Sequence, residues 1–341
     1  MKKIEFYQKH DLDAIKVQRK NIHELQKHNL YPNAFDFPLL LQLELTRKCN
    51  VHCKHCYNNS GVSGEYVDPM TLELWKSFAN YVVGKGGIFE CVISGGEPLL
   101  LGDDLFDIMD IFHLDGTNFL LITNGFLLNE EKVKRLKKYR YKWIQVSIDG
   151  SEADYHDEFR QRKGSWERAV NGALLVSSAG IPLTIAHSIS PQNLKSIDEM
   201  CELAYTLGAG NIILGSISLS GRTYDNTNLL LNDDEKEYLL ERVEYNTSKF
   251  RGKMQITRSM DERLQYEQQK ELPCGGVIIR PNGDIRLDCM TPFVMGNVLK
   301  DDFAEIWKEK CMHIWDNESV KDYYMNGGCD IRNYVDKDVL L

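Results

Sequence analysis

Three cysteines stand within eight residues, in Cys49-Asn-Val-His-Cys53-Lys-His-Cys56. Thiolates are the usual holders of iron–sulfur clusters, and three on one short loop can wrap one face of a 4Fe-4S cubane. The remaining iron then stays open, and an open metal position is what a substrate or cofactor binds. The competing reading is a zinc knuckle in which His52 or His55 completes a tetrahedral set. Zinc fingers, however, pair two short ligand clusters across a spacer, and no second pair stands at such a distance.

Further candidate residues recur along the chain. Ser94-Gly95-Gly96-Glu97-Pro98 joins two glycines, which let a backbone approach a ligand closely, to a carboxylate that can bind a cation. Thr123-Asn124-Gly125 and Ser147-Ile148-Asp149-Gly150 offer Asn124, Ser147 and Asp149 either as ligand contacts or as caps and turns. Arg160, in His156-Asp-Glu-Phe-Arg160, is a bidentate fork for a carboxylate or an exposed helix end. Ser220-Gly221-Arg222 is suggestive by position alone. No catalytic acid, base or hydrogen donor singles itself out.

These residues need elements to position them. Apolar or β-branched runs at 39–45, 89–94, 118–123, 142–148, 183–189 and 211–217 read as strands; the cysteine triad and the motifs at Gly95, Asn124 and Asp149 stand at the ends of the first four, and Ser220-Gly221-Arg222 follows the sixth. Segments with helical periodicity lie between them: one opens at Asp68-Pro69, a predicted N-cap and first helical position, and others cover 103–114, 129–138, 165–179 and 193–207. Strands separated by long crossovers pair in parallel. The pattern predicts an α/β fold, either an open doubly wound sheet or a partial (β/α)6 TIM-like barrel, and in both the chemistry collects at the carboxyl ends of the strands. Residues 226–270 are polar and helix-prone. Around a hairpin centred on Pro281-Asn282-Gly283-Asp284 lie Cys274, Cys289, Cys311 and Cys329. Cys311 reads as buried packing, as do Cys91 and Cys201.

The balance of 41 basic against 50 acidic residues, a net charge of −9, argues against a broad grip on nucleic-acid phosphates. No apolar run is long enough for a membrane span or a secretory h-region, which predicts a cytoplasmic protein with no membrane partner. Nine cysteines in that compartment suggest metal chemistry more than disulfides.

The spacing and place of Cys49, Cys53 and Cys56 resemble the C-x3-C-x2-C hallmark of the radical S-adenosylmethionine (SAM) superfamily, with His55 where an aromatic residue commonly approaches the adenine. Gly95-Gly96-Glu97 resembles the family's GGE motif, which meets the methionyl amine. Asn124, Ser147, Asp149 and Arg160 match positions that meet the ribose hydroxyls or the methionyl carboxylate. The C-terminal part resembles the SPASM/twitch extension, in a reduced form with one auxiliary iron–sulfur cluster held by Cys274, Cys289 and Cys329. The resemblance covers residues 38–341 and implies four parts: an N-terminal helical segment (1–37), the barrel (38–225), a helical linker (226–270) and the cluster extension (271–341). It also implies reductive cleavage of SAM to a 5′-deoxyadenosyl radical that removes a hydrogen atom from the substrate. In this branch that substrate is often a leader-bearing precursor peptide, and flavodoxin or ferredoxin supplies the electron. Modification of a small molecule or tetrapyrrole side chain is the alternative among enzymes. A silent iron–sulfur electron carrier has no use for the GGE and ribose-type residues.

Overall fold

The computed structural model describes residues 3–61, 68–259, 262–289, 291–325 and 339–341. Helix α1 spans Lys3–Lys27, and strand β1 spans Leu40–Glu44. Then come α2 (Leu72–Gly84), β2 (Glu90–Ser94), α3 (Asp103–Leu114), β3 (Asn118–Thr123), α4 (Glu130–Leu136) and β4 (Tyr141–Ser147). Helices α5 (Ala153–Arg160) and α6 (Ser165–Ser178) precede β5 (Leu183–Ile189), α7 (Ile197–Thr206) and β6 (Asn211–Ser216). Next are α8 (Asp233–Lys249), β7 (Gln255–Arg258), α9 (Glu262–Gln269), β8 (Gly276–Ile279) and β9 (Asp284–Arg286). The chain ends with β10 (Phe293–Asn297), α10 (Phe303–Ile306), α11 (Glu318–Met325) and β11 (Val339–Leu340).

Contacts divide the chain into two units. One comprises Gln42–Ser259 with Arg280–Gly283. Its strands follow the order β1-β2-β3-β4-β5-β6-β7, and β2 to β7 pair in parallel. The partial-barrel expectation holds. All six expected strands form, because their apolar runs are buried on both faces, as parallel strands are. Leu43, Ile93, Leu121, Ile144, Ile185 and Leu214 are wholly buried, together with Phe112, Val176 and Met200 from the helices. Each such side chain contributes about 1.5–3 kcal/mol on leaving water.

Two local expectations are corrected. Helix α2 begins later than Asp68-Pro69: Thr71 is its N-cap and accepts from the Leu74 amide at 3.4 Å. Asp68 is engaged elsewhere, by the Thr46 hydroxyl and the Arg47 amide. The 226–270 stretch is more than a helical linker, since Gln255–Arg258 extends the sheet as a seventh parallel strand beside β6. Its four residues hold one strongly apolar side chain, Ile256, so no alternation announces it.

The other unit comprises Met1–Leu41, Met260–Ile279 and Asp284–Leu341. Helix α1 packs against α9, where Arg19 meets the Glu267 carboxylate at 3.4 Å. The expected hairpin forms from antiparallel β8 and β9, with Gly283 at φ 87° in its turn. Strand β10 continues the sheet and pairs in parallel with β11. Among the described residues, no helix is long and apolar enough to cross a membrane.

Candidate functional site

The triad loop leaves β1 and is held down on two sides by backbone. The amides of Gly96 and Glu97, just past β2, donate to the carbonyls of Thr46 (2.6 Å) and Lys48 (2.8 Å). The glycines are required by this contact. A Cβ on Gly95 (φ 135°) would stand 2.5 Å from the Thr46 carbonyl oxygen, and one on Gly96 would stand 2.1 Å from that of Lys48. At the end of α5, the carbonyls of Phe159 and Arg160 accept from the amides of Lys54 and His52, both at 3.0 Å.

Within the loop Cys53 is buried, while Cys49 and Cys56 are half-buried. Burial pushes the Cys49 thiol up to about 11 and the Cys53 thiol up to about 12, and Arg160 pulls both back toward thiolate. The Ser60 amide donates to Cys56 Sγ at 3.4 Å, and Asn124 Nδ2 donates to Cys49 Sγ at 3.7 Å. His52 is occupied by the Gly61 carbonyl at 3.1 Å. His55 stacks on Phe159 with centroids 4.5 Å apart, and its Nε2 lies 3.2 Å from the Ser188 hydroxyl. Burial pushes His55 down to about 4, so the ring is neutral at pH 7.

Among the described residues no three His, Cys, Asp or Glu side chains gather closely enough to hold a single metal ion. The chemistry of the donors fits a larger, anionic, thiolate-held group: three thiols on one loop with a buried arginine beside them. Among the described residues the buried Nδ1 of His55 has no hydrogen-bond partner, which leaves one ring atom for an absent group.

The other candidates sit at the strand ends and the end of α5, and two pairs of them are bonded together, Glu97 with Asn124 and Asp149 with Arg160. Glu97 is wholly buried; its Oε1 accepts from the Leu99 amide (3.1 Å) and the Thr123 hydroxyl (2.7 Å), and its Oε2 accepts from the Asn124 amide (2.8 Å). Burial pushes its carboxyl up, and these donors oppose that. Glu97 therefore ties the end of β2 to the end of β3. Ser147 closes β4, half-buried and opposite Ala186 in register. Asp149 is wholly buried; its Oδ2 takes Arg160 Nε at 2.8 Å and Nη2 at 2.7 Å, and its Oδ1 takes the Ser188 amide at 2.8 Å. Burial opposes the charge, yet the Arg160 guanidinium holds Asp149 well below the usual carboxylate range. Arg160 is thus no exposed helix end.

Sequence reasoning missed a network at the end of β1. Glu44 is 1% exposed and accepts from the Tyr57 hydroxyl at 3.0 Å and from Asn58 Nδ2 at 3.3 Å; Arg280 Nε lies 3.6 Å away. The available signal was a lone acid closing an apolar strand five residues before Cys49.

In the other unit, Cys274 is buried and its thiol donates to the Gly276 carbonyl at 3.3 Å, while Cys289 is half-buried. Cys311 is wholly buried at the end of a π-helical turn, Trp307–Cys311, as a packing residue would be. Cys91 and Cys201 are also wholly buried. Cys329 lies outside the described residues.

Comparison with known proteins agrees with this geometry. Residues 43–204 match the model of the Radical SAM superfamily. The chain is 27% identical over 312 residues to the antilisterial bacteriocin subtilosin biosynthesis protein AlbA of Bacillus subtilis (strain 168), covering 89% of this chain and 67% of that protein. It is 36% identical over 172 residues to an AdoMet-dependent heme synthase of Methanosarcina barkeri (strain Fusaro / DSM 804), covering 50% of this chain and 48% of that enzyme. The chain thus spans about half the length of that second relative. Among solved structures it is similar to Streptococcus suis SuiB bound to precursor peptide SuiA, with a TM-score of 0.64 at 17% identity, covering 87% of this chain and 70% of that one. With a cysteine triad just past the first strand, buried polar groups at the next strand ends and the family match across them, residues 43–204 form a domain of the Radical SAM superfamily, whose enzymes bind a 4Fe-4S cluster and SAM.

Proposed function

We propose that this enzyme modifies a peptide, with Cys49, Cys53 and Cys56 holding the 4Fe-4S cluster. When bound, the cluster and SAM supply a 5′-deoxyadenosyl radical that takes a hydrogen atom from the substrate. The residues at the strand ends bind and orient the cofactor. Gly95, Gly96 and Glu97 offer a close backbone approach and a carboxylate for the methionyl amine. Asn124, Ser147, Asp149 and Arg160 serve the ribose hydroxyls and the methionyl carboxylate, and neutral His55 lies against the adenine. The Glu97–Asn124 and Asp149–Arg160 hydrogen bonds hold the pocket in shape before SAM arrives, which reduces the ordering needed on binding. Cys274, Cys289 and Cys329 hold one auxiliary cluster, and a flavodoxin or ferredoxin supplies the electron.

The observation that carries the peptide reading is the alignment of 89% of the chain with a bacteriocin biosynthesis protein. A fold neighbour described with a bound precursor peptide supports it. The second reading, modification of a tetrapyrrole side chain, is favoured by the 36% identity with a heme synthase. The test incubates reduced enzyme with SAM and a short peptide encoded beside its gene. A crosslinked product is lighter by two hydrogens; an epimer keeps its mass in water and gains one deuteron in heavy water. Turnover of a porphyrin with neither change in the peptide overturns the peptide reading in favour of the second.

A further inference from the structure

The loop after β6 carries a buried cation that the SAM-pocket assignment does not use. Arg222 is 8% exposed, and among the described residues no carboxylate forms an ion pair with it. All its side-chain hydrogen bonds go to the triad loop. Nε donates to the Cys53 carbonyl at 2.7 Å, and Nη1 donates to the Ser60 carbonyl at 2.7 Å and to Asn59 Oδ1 at 3.2 Å.

The segment around it presses on the same loop. The Arg222 amide donates to the Cys56 carbonyl at 3.1 Å, and Asn226 Nδ2 donates to that of Lys54 at 3.3 Å. Gly221 has φ 49°, and a Cβ there would stand 2.2 Å from the Cys56 carbonyl oxygen and 2.4 Å from that of Tyr57. The Ser220 amide donates to the Thr223 hydroxyl at 2.6 Å and the Thr223 amide donates to the Ser220 carbonyl at 3.0 Å, which fixes this turn.

Carbonyl oxygens satisfy a guanidinium's donors but do not neutralise its charge. A buried cation without an anion is costly, so one is expected on the loop it grips. The group held by three thiolates on that loop would supply it.

We infer that Arg222 is a positioning residue and counter-cation for the cluster held by Cys49, Cys53 and Cys56. Its fork and its own backbone amide pin the carbonyls of Cys53, Ser60 and Cys56, which aims the thiols. Its charge favours the reduced cluster, which carries one more electron, delivered by the low-potential donor protein. This rests on the triad assignment made above.

The experiment reconstitutes wild-type protein and the variants R222Q, R222K and G221A anaerobically. It measures iron per chain and the midpoint potential of the cluster whose EPR spectrum responds to SAM. R222Q is expected to shift that potential to a more negative value, making reduction about tenfold less favourable, or about 59 mV for a one-electron couple. R222K, which keeps the charge, is expected to recover most of the shift. G221A is expected to lower iron content without moving the potential of the clusters that remain. A fully loaded R222Q with the wild-type potential overturns the inference, as does an equal shift in all three variants. Where R222Q retains no cluster, R222K decides: wild-type iron and potential support the inference, and iron loss matching G221A overturns it. Wild-type protein without iron at the triad sinks the triad assignment itself.

Discussion

Asp149 and Arg160 form an ion pair with both partners almost wholly buried. Removing one charge from such a pair leaves the other without compensation, at about 3–5 kcal/mol. Asp149→Asn is therefore expected to lower the unfolding free energy of the metal-free protein by that amount in guanidinium titrations; a loss under about 1 kcal/mol would contradict it. Surface pairs such as Arg135–Asp103 behave differently, contributing about 0–1 kcal/mol. The same neighbourhood sets a pH dependence. Burial pushes His156 down to about 3 and lowers His187 as well. The folded chain keeps both rings neutral while the unfolded chain protonates them below about pH 6.5, so unfolding takes up protons. Stability is full above that pH and falls on acidification toward 3, by about 1.4 kcal/mol per pH unit for each histidine still neutral in the fold. Denaturant midpoints measured between pH 7 and 4 check the slope, and a flat profile would contradict it.

At the scale of elements, the triad loop is anchored by the ends of β2 and α5 and by the turn after β6. The glycines matter where two backbones meet. Gly95→Ala combines a positive φ with a Cβ only 2.5 Å from the Thr46 carbonyl oxygen. It is expected to cost about 1–3 kcal/mol and to reduce iron retention, read from denaturation curves and iron assay. Gly84, the last residue of α2, has nothing within 4 Å of an added Cβ. Gly84→Ala should leave iron content unchanged and stabilise the protein by up to about 1 kcal/mol, through the better helix propensity of alanine.

At the scale of the whole molecule, iron content separates the two cysteine sets. Anaerobically reconstituted protein is expected to hold about eight irons per chain, from two cubanes of four. Replacing Cys49, Cys53 and Cys56 with alanine should leave about four and abolish 5′-deoxyadenosine formation. Four irons in the wild type would mean the C-terminal cysteines hold no cluster, and about twelve would mean a further one.

The sequence by itself determined the alternation of parallel strands with helices and where the candidate residues stand along it. Double-faced burial makes each parallel strand a continuous apolar run, and the candidate residues cluster just past the first four such runs. Strands β3 and β5 match their apolar runs residue for residue, and the triad is legible because ligand spacing is a local property. Tertiary structure alone decided what is not local. The four-residue β7 forms because the edge of β6 is there to pair with, not because its own pattern is strong. Asp68 lost its capping role to a partner across the loop, and Arg160 proved buried because Asp149 lies opposite it. Glu44 meets Arg280 and Arg222 grips the triad loop across 236 and 169 residues of sequence. Hydrogen bonds over such separations leave no periodicity in the chain; the path of the backbone alone creates them.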